Sequence, residues 1–126
     1  RIVRAYLEIE RVRFGDRLRY RIEADASAGA AQVPRLAVQT LVENAVKYAV
    51  SPRREGATIV VSARDRDGRA TIAVQDDGPG FDATALPDGH GLALLRSRLG
   101  MLFGERATLS VDGRPGATRV VVEIRR

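Results

Sequence analysis

The sequence predicts an α+β fold, a two-layer α/β sandwich in which about three helices cover one face of a mostly antiparallel mixed sheet. Two observations support this prediction. Apolar patterns alternate along the chain in the order helix, strand, helix, hairpin, loop, helix, hairpin. Both hairpins join their strands through short glycine-containing turns, which favour antiparallel pairing. With 126 residues, 44% of them hydrophobic, the chain suits one domain with its own core.

The first half of the chain contains two helical patterns separated by one strand pattern. Residues 1–14 place apolar side chains at helical spacing, and residues 18–24 alternate apolar with charged side chains as a half-buried strand does. Pro34 suits the first turn of the second helix, and Ser51-Pro52 ends that helix. This helix is apolar over more than a narrow stripe, so we expect it to be largely covered.

The second half of the chain contains two hairpins with a helix between them. Asp67-Gly68 joins two apolar runs, which is a strong hairpin signal. Residues 107–126 repeat this pattern around a turn rich in glycine and proline. Between the hairpins, residues 90–103 are helical in pattern, and Gly104 is the expected end of that helix.

Composition excludes several classes of protein. With no cysteine and His90 as the single histidine, the chain lacks a disulfide framework, a thiolate metal site and a histidine-rich zinc cluster. No apolar run approaches the roughly 20 residues of a membrane span, and nothing resembles a signal peptide. The net charge of +5 would suit an anionic partner, but the cations are scattered, so we do not expect nucleic-acid binding. Because the chain begins at Arg1, we expect it to come from a longer protein.

Polar residues interrupt the apolar pattern of the second helix. Glu43 and Asn44 lie within it, and Lys47 and Tyr48 follow Asn44 by three and four positions, so they share its face. An amide oxygen suits Mg²⁺, and a lysine suits phosphate. This stretch alone leaves open the alternative of a helix with a solvated polar edge.

Two glycine-containing stretches add candidate binding residues. Asp76 ends a strand, and Gly78 and Gly80 follow it where missing side chains permit close approach of a ligand. Gly89 and Gly91 precede the third helix, whose first N–H groups are able to bind phosphate oxygens. The ordinary alternatives are a turn after a strand and a loose connection into a helix, and a single G-x-G is a weak signal.

Taken together, these stretches resemble the Bergerat-type ATP-binding fold shared by DNA gyrase, heat-shock chaperones, histidine kinases and mismatch-repair ATPases. "LVENAVKYA" resembles the N box, "DDGPGF" the first glycine box and "GHGLALLRSRL" the second. "PGAT" resembles the closing Gly-x-Thr element, with Ala117 where a second glycine is common. "YLEIERVRF" and "QTLVENA" are similar to segments of LytS-type sensor histidine kinases. The resemblance covers nearly the whole chain and implies that residues 1–126 form the ATP-binding catalytic domain, without the sensor and dimerisation regions.

The resemblance also implies roles for individual residues. It implies that Asp76 accepts a hydrogen bond from the adenine amino group, and that Asn44 coordinates a Mg²⁺ ion bridging the phosphates. It implies that Lys47 contacts phosphate, and that Thr118 supports the adenine end. The catalytic residues it indicates are Asn44 and Glu43. The residues it indicates for nucleotide binding are Asn44, Lys47, Tyr48, Asp76, Gly78, Gly80, Gly89, His90, Gly91, Leu92 and Thr118.

Some positions depart from the family pattern. Thr40 stands where gyrase-like ATPases carry the glutamate that activates water, which argues against an efficient hydrolase. We expect Glu43 to point elsewhere on the helix than Asn44, and assistance to an acceptor histidine and orientation of the metal shell both remain open for it. His90 is interpreted as a lid histidine near phosphate rather than as the phosphoacceptor. The lid, residues 82–88, is very short.

The resemblance implies a sensor histidine kinase that transfers the γ-phosphoryl group of ATP to a histidine of its dimerisation domain and then to a response regulator. This chain carries no phosphoacceptor segment, so we expect it to bind ATP and Mg²⁺ without phosphorylating itself. We expect a cytoplasmic, monomeric fragment of a full-length homodimer, and whether the parent is anchored in the inner membrane stays open. An anti-sigma-factor-type serine kinase and a non-catalytic adenine-nucleotide-binding module remain as alternatives, although the LytS-like front end argues against the first.

Overall fold

Five strands form one mixed sheet in the computed structural model, which describes residues 2–24, 35–50, 54–66, 68–78, 91–114 and 116–125. The strands are β1 (Leu18–Ala24), β2 (Ala57–Arg66), β3 (Arg69–Asp76), β4 (Ala107–Asp112) and β5 (Thr118–Arg125). Their order in the sheet is β1-β2-β3-β5-β4, and among the strands in these described ranges only the β1–β2 pair is parallel. The predicted mostly antiparallel mixed sheet and both hairpins are therefore confirmed.

Within the part of the chain that the structure describes, three α-helices accompany the sheet, as the sequence predicts. They are α1 (Ile2–Phe14), α2 (Arg35–Ala45) and α3 (Gly91–Phe103). The second predicted helix does not stay α-helical to its end, because its last five residues, Val46–Val50, form a π-helical turn. Such wider turns occur often at functional sites. Among the helices in the described ranges, none is both long and apolar enough to cross a bilayer.

The helices lie on one face of the sheet, and the core lies between the two layers. Along β5 the even-numbered residues are buried, whereas Arg119 and Arg125 on the other face are exposed. This alternation places one face of each strand against the helices. The largest fully buried side chains come from both layers, and they are Leu7, Leu18, Leu41, Val42, Val50, Ile59, Leu92, Thr118 and Val122.

The first helix is covered less completely than its apolar pattern predicts. Leu7 is fully buried, and Tyr6 and Phe14 pack against the core, but Ile9 and Val12 are 68% and 89% exposed. The reason is geometric: α1 contacts β1 and α2 along one side, so apolar residues that face away from both elements have no partner within the domain.

A close contact between chain segments fastens the end of α2 to the start of the sheet. Arg17, in the short turn between α1 and β1, donates a hydrogen bond to the carbonyl oxygen of Val50 at 3.0 Å. Gly56 adopts φ +70°, and a Cβ atom there would lie 1.8 Å from the carbonyl oxygen of Arg17. Only glycine fits at this position, a requirement that sequence reasoning missed. The hydrogen bond from Arg17 holds the π-helical turn that follows α2 against the turn that precedes β1.

Candidate functional site

An open depression lies beside α2 and the first residue of α3. Its volume is about 150 Å³. Five of its lining residues recur at the three- and four-residue spacing of one helical stripe. The stripe and the start of α3 therefore form a single concave surface, lined by Thr40, Glu43, Asn44, Lys47, Tyr48 and Gly91.

The depression brings together an amide, an ammonium group and a carboxylate. Asn44 is buried and supplies an amide, whereas Lys47 is exposed and supplies an ammonium group whose Nζ lies 5.3 Å from the centre of the Tyr48 ring. Glu43 is exposed whereas Asn44 is buried, yet both residues line the depression. Successive helix positions are about 100° apart, and this surface is wide enough to include both.

Two neighbouring residues, Gln39 and Tyr6, interact with the carboxylate of Glu43. Gln39, one turn earlier on α2, donates a hydrogen bond from Nε2 to Oε1 of Glu43 at 2.9 Å. Tyr6 on α1 is half-buried, and burial together with the negative charges of Glu10 and Glu43 raises the pKa of Tyr6 to about 12. Sequence reasoning missed both neighbours, although the four-residue spacing of Gln39 and Glu43 is a signal for such a contact.

A second polar group lies at the paired ends of β3 and β5. Asp76, the last residue of β3, pairs in register with Thr118, the first residue of β5. Both side chains are buried, at 8% and 2% exposure. Oδ1 of Asp76 accepts a hydrogen bond from the N–H of Gly78 at 2.9 Å, and Oγ1 of Thr118 donates to the carbonyl oxygen of Arg114 at 3.2 Å. The sheet thus places a buried carboxylate beside a buried hydroxyl.

Gly78 connects this second group to α2. A Cβ atom at Gly78 would lie 2.6 Å from the Cβ and 2.9 Å from the Cα of Ala49, in the π-helical turn. The carbonyl oxygen of Gly78 also accepts a hydrogen bond from the N–H of Gly116 at 2.7 Å. The chain thus needs glycine here for its own packing. Because Ala49 follows Asn44 by five residues, roughly 7 Å along the helical axis, α2 and the π-helical turn after it together reach both polar groups.

We expect Gly78→Ala to destabilise the domain by about 1–3 kcal/mol, because the new methyl group overlaps the short side chain and main chain of Ala49, which cannot swing aside. Thermal or chemical unfolding measures the effect. Gly100→Ala is the matched control, since a Cβ atom at this helical glycine meets nothing within 4 Å. It should be neutral or stabilise by up to about 1 kcal/mol. Equal stability of the two variants would contradict the predicted close packing at Gly78.

The remaining predicted site residues lie at the start of α3, in the core or outside the described residues. Gly91 is exposed at the start of α3, where a Cβ atom would meet only Thr40 Cγ2 at 3.8 Å. The side chain of Leu92 is fully buried in the core, so it packs within the domain and does not line the depression. The described ranges do not include Gly80, Gly89, His90 or the lid, residues 82–88.

Comparison with known proteins relates the chain to one family of ATPases. Residues 29–126 match the family described as histidine kinase-, DNA gyrase B-, and HSP90-like ATPase. The chain is 35% identical over 128 residues to the sensor histidine kinase YesM of Bacillus subtilis, covering 98% of this chain and 22% of that protein. It is 35% identical over 134 residues to the sensor protein LytS of Staphylococcus haemolyticus, covering 97% of this chain and 23% of that protein.

A solved structure shows the same fold. The catalytic domain of histidine kinase ThkA is similar with a TM-score of 0.73 at 16% identity, covering 96% of this chain and 87% of that one. The chain spans less than a quarter of the length of the two curated relatives, so the likeness concerns a single domain of each. The resemblance to LytS-type kinases and the predicted ATP-binding fold are confirmed. The chain belongs to the histidine kinase-, DNA gyrase B- and HSP90-like ATPase family and corresponds to the ATPase domain of sensor histidine kinases.

Proposed function

We propose that this domain binds ATP with Mg²⁺ and, within a full-length sensor histidine kinase, transfers the γ-phosphoryl group to a histidine of the dimerisation domain. One observation carries the proposal: a single helix supplies Asn44 and Lys47 to a depression and packs Ala49 against Gly78, beside the buried Asp76. A nucleotide would lie along this helical stretch with its base toward Asp76 and its phosphates toward the ammonium group of Lys47 and the amide of Asn44.

At the adenine end, the proposed contacts come from the paired ends of β3 and β5. Asp76 would accept a hydrogen bond from the amino group of adenine, where guanine presents a carbonyl oxygen instead. The bond from the Gly78 N–H supports this role, because it orients the carboxylate before a ligand arrives. Thr118, directly opposite Asp76, would support the same end of the base. Gly78 and Gly80 would let the main chain pass close to the base and ribose.

At the phosphate end, Lys47 and the start of α3 would balance the charge of the triphosphate. The ammonium group of Lys47 is exposed at the rim, where it is able to reach a phosphate oxygen. The N–H groups of residues 89–92 would donate to phosphate oxygens at a helix start. His90 would lie near the phosphates as part of the lid. Tyr48 would pack beside the nucleotide.

The donor set at Asn44 fits Mg²⁺. This ion prefers hard oxygen ligands, and it binds through one or two protein groups together with the phosphates of its substrate. In the described part of the chain, no group of three or more His, Asp or Glu side chains could hold an ion by themselves, so shared coordination with ATP suits the site. When bound, Mg²⁺ would neutralise part of the negative charge of the phosphates. The oxygen of Asn44 would be the protein ligand.

The proposed reaction balances as a phosphoryl transfer. A ring nitrogen of the acceptor histidine forms a bond to the γ-phosphorus, the bond from that phosphorus to the bridging oxygen breaks, and ADP leaves with the electron pair. The proton on the other ring nitrogen of the acceptor passes to a base. Glu43, exposed at the rim of the depression, is the base that we propose. Thr40 lines the same surface without a proton-accepting group, which suits transfer to a protein better than hydrolysis.

The partners follow from this reaction. The acceptor is the dimerisation domain of the same protein, and a response regulator receives the phosphoryl group from it. We propose that this fragment is monomeric by itself. In the full-length protein, which we propose to be a homodimer, the domain would face the cytoplasm. Both curated relatives described above carry sensor names, and YesM is named a sensor histidine kinase. These names favour the histidine kinase over the anti-sigma-factor-type alternative.

A nucleotide titration tests the proposal. We expect ATP to bind at least tenfold more tightly than GTP, because the discriminating hydrogen bond involves a charged acceptor. We also expect ATP affinity to fall when Mg²⁺ is removed by a chelator. Calorimetry with ATP, ADP and GTP, each with and without Mg²⁺, measures both effects. Equal binding of ATP and ADP without a response to Mg²⁺ would instead indicate a non-catalytic nucleotide-binding module.

A further inference from the structure

The carboxylate of Glu43 is attached to its own helix at one oxygen. Gln39 donates a hydrogen bond from Nε2 to Oε1 of Glu43 at 2.9 Å, and the two residues are four positions apart on α2. Side chains with this spacing face each other on a helix surface. Gln39 is half-buried, whereas Glu43 is exposed and lines the depression together with Asn44 and Lys47. The bond therefore joins a side chain outside the depression to one that borders it.

Side chains of α1 lie on one side of Glu43. Helix α1 packs against α2. Its residue Tyr6 is half-buried, and the negative charge of Glu43 contributes to the raised pKa of Tyr6. Glu10, also on α1, adds a second negative charge on that side. Arg13, which lies 3.9 Å from Glu10 in an ion pair, adds a positive charge there. The hydrogen bond from the Gln39 amide favours the orientation in which Glu43 stays on α2 beside the depression.

Helix stability alone gives a weak reason for this contact. Exposed pairs of polar side chains at this spacing stabilise a helix only slightly. A glutamate side chain, in contrast, loses considerable rotational freedom when it is held in one conformation. A contact that orders the side chain in advance lowers this entropy cost for any reaction step that requires the carboxylate in one conformation.

We propose that Gln39 is a positioning residue for Glu43, holding Oε1 so that the carboxylate faces the space between the bound triphosphate and the acceptor histidine. This inference rests on the proposed function of Glu43 as the base in phosphoryl transfer. Gln39 is not among the residues that line the depression, so it would act through the orientation of Glu43.

Three substitutions at Gln39 separate positioning from packing. Gln39→Met keeps the length of the side chain but removes the donor. Gln39→Lys keeps a donor, and Gln39→Glu replaces it with a second carboxylate. In a full-length kinase that carries this domain, we expect kcat for autophosphorylation to fall about fivefold to tenfold with Met and further with Glu, while Lys stays within about twofold of the original. KM for ATP should change by less than about twofold in the Met and Lys variants.

A second measurement uses the present chain and does not depend on activity. Side-chain couplings and relaxation measured by NMR report whether Glu43 occupies one rotamer. We expect one dominant rotamer in the original chain and in Gln39→Lys, and rotamer averaging in Gln39→Met. Gln75→Met is the matched control, because Gln75 is exposed on β3 between the buried residues Val74 and Asp76 and so faces away from the helices. It should leave both readouts unchanged.

The possible results distinguish the positioning role of Gln39 from a packing role and from failure of the phosphotransfer proposal. Averaged rotamers in the original chain, or an unchanged kcat in Gln39→Met, would overturn the positioning role. Equal losses of kcat in the Met and Lys variants would also overturn it, because they would point to packing instead of donation. If the rotamers respond as expected but the original kinase binds ATP without phosphorylating its histidine, the phosphotransfer proposal fails, and the positioning role in catalysis fails with it.

Discussion

Asn44→Asp is expected to reduce autophosphorylation of a full-length kinase carrying this domain by roughly 100-fold or more, the loss typical when a preorganised group beside the reacting charge is changed. Asn44 is buried at 8% exposure beside the depression. An added negative charge in such a poorly solvated place repels the triphosphate strongly. It also changes the charge of the proposed ligand for Mg²⁺. Transfer of labelled phosphate from ATP to the protein measures the effect.

The same substitution should harm folding much less than it harms transfer. Asn and Asp have nearly the same shape, and the depression is open to solvent on one side. Gln75→Glu is the matched control, because it makes the same change from amide to carboxylate at an exposed position on β3. It should leave transfer within about twofold, as expected for a surface charge screened by salt. If Asn44→Asp retains full transfer activity, the proposed metal role of Asn44 is wrong.

Asp76→Asn is expected to weaken ATP binding by roughly 10- to 100-fold. A hydrogen bond to a charged acceptor is worth about 1.5–3 kcal/mol, which corresponds to this range of affinity. The buried carboxylate already accepts a bond from Gly78 through Oδ1. An asparagine that keeps this bond would offer its NH₂ group where the carboxylate offers an oxygen. Two donors would then face each other at the amino group of adenine.

The control for this prediction lies at the next residue. Asp77 is exposed, and its Oδ1 accepts a hydrogen bond from the main-chain N–H of Thr58 at 2.8 Å. Asp77→Asn makes the same chemical change and keeps an acceptor for that bond. Its ATP affinity should stay within about twofold, since surface substitutions usually have small effects. Calorimetric titration measures the ATP affinity of both variants, and thermal unfolding checks that both are folded. Unchanged affinity in Asp76→Asn would remove the adenine assignment.

Much of the fold could be predicted because local patterns state it directly. Alternation in residues 18–24 and the glycine turns specify strands and hairpins, and apolar spacing specifies the helices. The π-helical turn Val46–Val50 could not be predicted, because helical periodicity does not separate an α-turn from a wider one. The exposure of Ile9 and Val12 was also missed, since a pattern shows which residues are apolar and not how much of a helix its neighbours cover.

The candidate site likewise contains residues that local spacing predicts and contacts that it does not. Asn44, Lys47 and Tyr48 could be grouped from spacing alone, because a helix imposes that spacing on its own surface. The position of Glu43 at the same depression and its bond from Gln39 depend on side-chain conformation, which the spacing permits without requiring. All the predicted nucleotide contacts stay predictions, and Gly80, Gly89 and His90 also lie outside the described residues.

The sequence by itself determined the elements, the family resemblance and the polar residues of the N-box helix, because these depend on short-range periodicity and on motifs contiguous in the chain. Only the tertiary structure decided which distant residues meet. Thr118 lies opposite Asp76 because β5 pairs with β3, and Gly78 must be glycine because Ala49 of another element occupies the space beside it. Such contacts arise from strand pairing and close packing between elements, and no local pattern encodes the distance between two side chains far apart in the chain.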